Sequence, residues 1–197
     1  MKVGVLMGSA TDSEKMAQAS ETLERFGIEA DVRVLSAHRN PDQVVELVST
    51  ARENGYVAFI CGAGMAAHLA GVVAAHTTLP VVGVPMSGGA LNGVDALYST
   101  VQMPKGIPVA TVAIDGSMNA ALLVVEMLAI SDEGLAKQLA EHREEIAKAK
   151  DPAAKRAELV RELVWALGEA HPFVRAPCST TRVDSWAPTC TSCRICR

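Results

Sequence analysis

The sequence predicts an α/β protein built on a doubly wound parallel sheet, and three observations carry that prediction. Short apolar runs of strand type alternate five times with stretches of helical spacing between Val3 and Ile130, the order that wraps a parallel sheet with helices on both faces. Three successive runs end in loops rich in small, hydroxyl or charged residues, and ligands bind at that end of such sheets. Hydrophobic residues make up 49% of the chain but aromatics only 4%. The core must therefore come from Ala, Val, Leu, Ile and Met, which suits close packing of helix on sheet.

At 197 residues the chain suffices for one domain with a real core and some residues to spare. The formal net charge is −4 and no long basic block occurs, which argues against a nucleic-acid surface. No uninterrupted apolar run reaches membrane-spanning length. Met1 to Leu6 runs directly into a strand and is too short for a signal peptide, so a cytoplasmic protein is expected.

Val3 to Met7 reads as the first strand, Gly8 to Asp12 as a small-residue turn, and Ser13 to Phe26 as a helix that Gly27 ends. Ser9, Thr11 and the amides of that helix start suit a phosphate. The turn has neither the spacing nor the lysine of a P-loop, so a monophosphate fits better than a nucleoside triphosphate. Asp12 either accepts from sugar hydroxyls or caps the helix.

Ala30 to Leu35 is the second strand, and Asp42 to Glu53 the helix after it. Between them lies Ser36-Ala37-His38-Arg39-Asn40-Pro41. A histidine, able to exchange a proton near neutral pH, thus stands beside an arginine that can fork onto a phosphate or carboxylate. A solvated turn held by Ser36 and Asn40 is the alternative. Tyr56 to Cys61 is a nearly all-apolar third strand, with Cys61 as a buried small hydrophobe. Next comes Gly62-Ala63-Gly64-Met65-Ala66-Ala67-His68-Leu69-Ala70-Gly71. Its small residues either let backbone approach a ligand or pack helix on sheet. His68 is either a site residue or a helix-face histidine.

Leu79 to Pro85 is the fourth strand, and the long connection Met86 to Gly93 follows it; connections of that length are often functional. Asp95 to Met103 reads as a short helix, Val109 to Ile114 as the fifth strand, and Ser117 to Ile130 as a buried helix. Ser9 and Asp12, Ser36, His38 and Arg39, and the 62–71 loop converge if those loops share one crevice. That convergence favours a functional His38.

Taken together, these loops resemble the N5-carboxyaminoimidazole ribonucleotide mutases of purine biosynthesis. The resemblance rests on Met7-Gly8-Ser9 with Asp12, Ser36-Ala37-His38-Arg39 with Pro41, and Gly62-Ala63-Gly64 with Ala66-Ala67-His68-Leu69 and Gly71. It continues through Leu79-Pro80-Val81, Gly83-Val84-Pro85, Gly93-Val94-Asp95, Val101-Gln102-Met103-Pro104 and Gly106-Ile107-Pro108-Val109. It implies a flavodoxin-like three-layer sandwich around a five-stranded sheet, assembled as a homo-octamer without metal or other cofactor. It further implies that a carboxylate moves from the exocyclic nitrogen of an aminoimidazole ribotide to a ring carbon. Ser9, Thr11 and Arg39 would hold the phosphate, Asp12 the ribose, and His38 would be the general acid/base. Ser36 would support the His38 loop. Gly62, Ala63, Gly64, Ala66 and Leu69 would enclose the carboxylate or CO₂, with His68 a secondary member. Met65 stands where the family usually has a third glycine, and Ala70 where it usually has proline.

The chemistry agrees: a histidine can protonate a carbamate nitrogen and later take the ring-carbon proton, and a small closed pocket would keep CO₂ from escaping. The alternatives are a direct carboxylase using free CO₂, a non-catalytic ribotide binder, and a flavodoxin-like flavin module. No Trp lies near a strand-end loop to stack on a flavin.

Residues 132–170 read as charged amphipathic helices, with Leu159, Leu163 and Leu167 flanked by Val160 and Val164 as an apolar stripe for a neighbouring subunit. Residues 171–197 read as a disordered extension. Its Cys178, Cys190, Cys193 and Cys196 are spaced too irregularly to favour a metal site.

Overall fold

A computed structural model describes residues 1–150, residue 156 and residues 159–165. The 171–197 tail with its four cysteines, and Leu167, lie outside the described residues. The chain divides into two compact units, Met1–Glu144 and Glu145–Arg197. In the second, the described residues 159–165 are helical and expose Leu159, Val160, Leu163 and Val164.

The first unit alternates strand and helix as expected: β1 (Lys2–Met7), α1 (Ser13–Arg25), β2 (Glu29–Val34), α2 (Pro41–Ser49), β3 (Tyr56–Gly64), α3 (Leu69–His76), β4 (Val81–Met86), α4 (Val94–Val101), β5 (Ala110–Thr111) and α5 (Ser117–Ala129). Helix α6 (Glu133–Lys150) follows. All strand pairings are parallel, in the order β2-β1-β3-β4-β5. That is the flavodoxin-like order, and its direction reverses between β1 and β3.

The period-two alternation of the strands sorts their side chains onto two cores. Val3, Val5 and Met7 join Ile60 and Val84 on the face covered by α1 and α5. Leu6, Phe59 and Cys61 face α2 and α3; α4 covers the same face further along, where the Thr100 methyl lies over Gly83. Cys61 is the expected buried hydrophobe, 1% exposed, and burial pushes its thiol up. Leu135 and Leu139 of α6 pack into the α1/α5 core, so the first turns of α6 complete this unit's own interior.

Three elements depart from expectation by more than two residues at a boundary. Helix α2 ends at Ser49 rather than Glu53, because the Asn54 amide donates to the Thr50 carbonyl and hydroxyl at 3.0 Å each and turns the chain. Strand β3 runs on to Gly64 because Ala63 and Gly64 still pair with Pro85 and Met86. Strand β5 has only two residues. Beyond it the chain follows β4 by isolated bonds, Val112 N to Gly83 O at 3.2 Å and Asp115 N to Pro85 O at 2.8 Å.

At Gly83 helix and sheet come close together. A Cβ there would meet the Thr100 methyl at 2.3 Å and Val109 at 3.0 Å. Gly83→Ala is expected to destabilise the protein by about 1–3 kcal/mol through overpacking, read as a lower urea midpoint at unchanged slope.

Candidate active site

The loops after β1, β2, β3 and β4 open on one edge of the sheet and line a cavity of about 610 Å³. The first loop is a single 3₁₀ turn, Ala10–Asp12. Ser9 caps it, its hydroxyl accepting from the Thr11 amide at 3.3 Å and the Thr11 hydroxyl at 2.9 Å. Asp12 makes no side-chain capping bond to α1 and lines the cavity. Burial raises its carboxyl above the ordinary range, with Lys15 pulling it down and Asp115 pushing it up.

The second loop is organised from below by Ser36, which is 8% exposed. Its hydroxyl accepts from the amides of His38 at 3.4 Å and Arg39 at 3.3 Å. Its carbonyl accepts from the Asn40 amide at 2.8 Å, and the turn hands the chain to α2 at Pro41. A buried serine thus presents two exposed, chemically active side chains. Arg39 Nη2 donates to the Gly8 carbonyl at 2.6 Å, tying the second loop to the first. A guanidinium has further N–H donors for an anion.

The third loop supplies the partner of His38. His38 Nε2 and His68 Nδ1 lie 2.8 Å apart, with the rings edge to face at 78°. Such a bond needs one proton between the two nitrogens, carried by either ring. His68 occupies the N-cap position of α3 and lines the cavity rather than standing on a helix face. Ala63, Gly64, Ala66 and Leu69 line the same cavity.

Gly62 is the exception among the residues singled out from the sequence. It lies inside β3 on the α1 face, where a Cβ would meet Met16 Sδ at 2.5 Å, and it does not line the cavity. Its carbonyl accepts from the Gly8 amide at 3.0 Å, so it holds the first loop in place instead. The expected closed pocket is an open cleft in the single chain. His38, Arg39, Met65, Ala66, His68, Gly88 and Gly89 are all exposed at or near its rim.

The fourth wall, Ser87-Gly88-Gly89, lay unassigned within a long connection of the sequence. It is held by chain segments far from it. Asp115 accepts from the Ser87 amide at 2.8 Å and the Ser87 hydroxyl at 2.5 Å. Lys15 Nζ donates to the same carboxylate at 3.0 Å, and also to the Ser87 hydroxyl and carbonyl. Burial pushes the Asp115 carboxyl up, but the Ser87 bonds and the Lys15 ammonium outweigh it, leaving it below the usual range.

Among the described residues, two have positive φ without being glycine or asparagine: Met65 on the cavity lining, at 54°, and Asp115 behind the Ser87 wall, at 57°. Aspartate tolerates this region. For methionine it costs roughly 1–2 kcal/mol. The Met65 side chain is nevertheless 63% exposed.

Residues 2–149 match the family model described as AIR carboxylase. The chain is 50% identical over 145 residues to the N5-carboxyaminoimidazole ribonucleotide mutase of Pyrococcus abyssi, covering 74% of this chain and 83% of that protein. It is 54% identical over 137 residues to the mutase of the same name from Aquifex aeolicus, covering 70% and 82%. The crystal structure of Treponema denticola PurE superposes with a TM-score of 0.69 at 29% identity, covering 75% of this chain and 92% of that one.

Asp115 gives the site a signature in acid. A carboxylate whose folded pKa is depressed contributes stability above its unfolded value of about 3.9, lost as pH falls through the lower folded value. The thermal midpoint of wild type should therefore fall as pH drops below about 4, and Asp115→Asn should flatten that part of the profile.

Proposed function

The chain belongs to the AIR carboxylase family, and we propose on that premise that it is an N5-carboxyaminoimidazole ribonucleotide mutase, an isomerase of purine biosynthesis. The observation that carries the site assignment is the His38–His68 pair at 2.8 Å, set between a hydroxyl-and-arginine cradle and a wall of Gly and Ala.

Ser9, Thr11, the amides at the start of α1 and Arg39 hold the ribotide phosphate; the capped turn, the helix start and the guanidinium all favour an anion. Asp12 accepts from the ribose hydroxyls. Ser36 aims His38 and Arg39 from beneath. The aminoimidazole then lies toward His38, with its carboxylate against Ala63, Gly64, Ala66 and Leu69.

His38 in its protonated form gives a proton to the exocyclic nitrogen as the N–C bond breaks and CO₂ leaves. The ring carbon attacks that CO₂ and forms the new C–C bond. The same carbon loses its proton to His38, and the protonated imidazole is restored. Atoms and protons balance within the site, and the lower oxidation level of the carboxylate carbon is offset at the ring carbon, so no electrons enter or leave and acid/base chemistry suffices without a cofactor. His68 serves as a second station for the proton and keeps the His38 ring in place.

We also infer the homo-octamer that the family resemblance implies. The outer face of α4 with the turn before it supports assembly: Leu91 in the turn and Val94, Tyr98 and Val101 on the helix are 45–61% exposed, three or four residues apart. The exposed Leu159, Val160, Leu163 and Val164 support packing of the second unit's helix on a neighbour.

Wild type should interconvert the carbamate and the ring-carboxylated ribotide without ATP or added bicarbonate. His38→Asn should lower turnover by about 100- to 10,000-fold while ribotide binding persists. Turnover only with supplied CO₂ would identify a direct carboxylase, and binding without turnover a ribotide-binding protein. Tyr98→Glu should lower the assembly's mass in sedimentation velocity by placing a charge in the α4 stripe.

A further inference from the structure

Met65 is a strained residue without a packing reason for its strain. Its φ of 54° lies where side chains are disfavoured, yet at 63% exposure it buries little in return. The turn it occupies closes tightly, the Ala67 amide donating to the Met65 carbonyl at 2.9 Å. Backbone held this way at a ligand site points to a function for the side chain there.

Three features say what that function is. Met65 lies on the cavity lining between Gly64 and Ala66, at the end where small residues form the wall. Its side chain reaches toward the opposite rim: a Cβ added at Gly89, itself at φ 64°, would lie 3.6 Å from Met65 Cγ. That rim is not slack, because Asp115 and Lys15 clasp Ser87 from two distant parts of the chain. A flexible thioether thus faces an anchored glycine wall across the open mouth of the cavity.

We propose that Met65 closes the carboxylate end of this cavity against the Ser87–Gly89 wall and retains CO₂ between its release and its recapture. The inference rests on the mutase reading above. CO₂ is small, uncharged and a poor hydrogen-bond partner, so it is retained by shape and apolar cover rather than by charge. An unbranched apolar side chain with several rotatable bonds suits a cover that must also let the ribotide pass.

The test follows the carbon. The full-length enzyme converts unlabelled carbamate in buffer containing ¹³C-bicarbonate and carbonic anhydrase, and mass spectrometry reads label per ring-carboxylated product at low conversion. Label in the remaining carbamate is measured alongside to correct for exchange outside the enzyme. The ratio does not depend on how fast a variant turns over. Wild type should incorporate little label, Met65→Gly severalfold more, and Met65→Leu, which restores apolar bulk, should return toward wild type.

Equal label in Met65→Gly and wild type overturns the proposal, even if the glycine raises the melting temperature by relieving strain. Fully labelled wild-type product overturns it too, since nothing is then retained. Failure of wild type to form product without added bicarbonate would instead sink the mutase reading, and the unlabelled reaction reveals that separately.

Discussion

Every strand of the sheet runs the same way, and the sheet order turns back between β1 and β3. From that constraint the site follows. The loop after β1 must lie between the loops after β2 and β3, because those strands flank β1 on either side. Hydrogen bonding continues past the strands and fixes this arrangement. The Gly8 amide donates to the Gly62 carbonyl at 3.0 Å, and the Leu35 amide to the Met7 carbonyl at 2.9 Å. The loops are therefore extensions of the ladder, and the distance between Ser9 and His38 is set by sheet register rather than by loop flexibility.

The site separates support from chemistry. Ser36 and Gly62 are buried and hold backbone; His38, His68 and Arg39 are exposed and meet what enters. Preorganisation of this kind keeps reactive groups aimed without spending binding energy on ordering them. The clasp of Lys15 and Asp115 on Ser87 does the same for the fourth wall. Ser117, fully buried at the start of α5, donates to the Lys15 carbonyl and so anchors the α1 end of that clasp.

Much of this was legible in the sequence, and the reasons it was legible are physical. Strand and helix periodicity in Val3–Ile130 reflects the two cores on either face of the sheet, and the His38 and 62–71 motifs are local in sequence. Gly62 reads as part of the enclosing 62–71 loop, but the third strand runs on to Gly64. Side chains alternate along a strand, so Gly62 faces Met16 under the sheet rather than the cavity. The Ser87 wall is not legible in the sequence because its partners are 72 and 28 residues away, and no periodicity announces such pairs. The shortening of β5 reflects the loss of continuous pairing after Thr111, where only isolated bonds join the chain to β4. The Met65 backbone is set by a turn whose strain only φ reveals.

The two ends of the cavity answer to different physics. At the Ser9–Arg39 end a ligand is held by charge and oriented donors, interactions that reach several ångströms and tolerate an exposed rim. At the Gly64–Leu69 end the wall beyond the His38–His68 pair is Gly, Ala and Leu, and a released neutral fragment is held there by contact, which weakens sharply across a gap of an ångström. An open rim is therefore acceptable at one end and not at the other. The unusual backbone lies at the end where contact is the sole means of retention, whereas the anion cradle is built from ordinary turns and caps. Where charge can do the holding the chain uses relaxed geometry, and where shape must do it the chain tolerates strain.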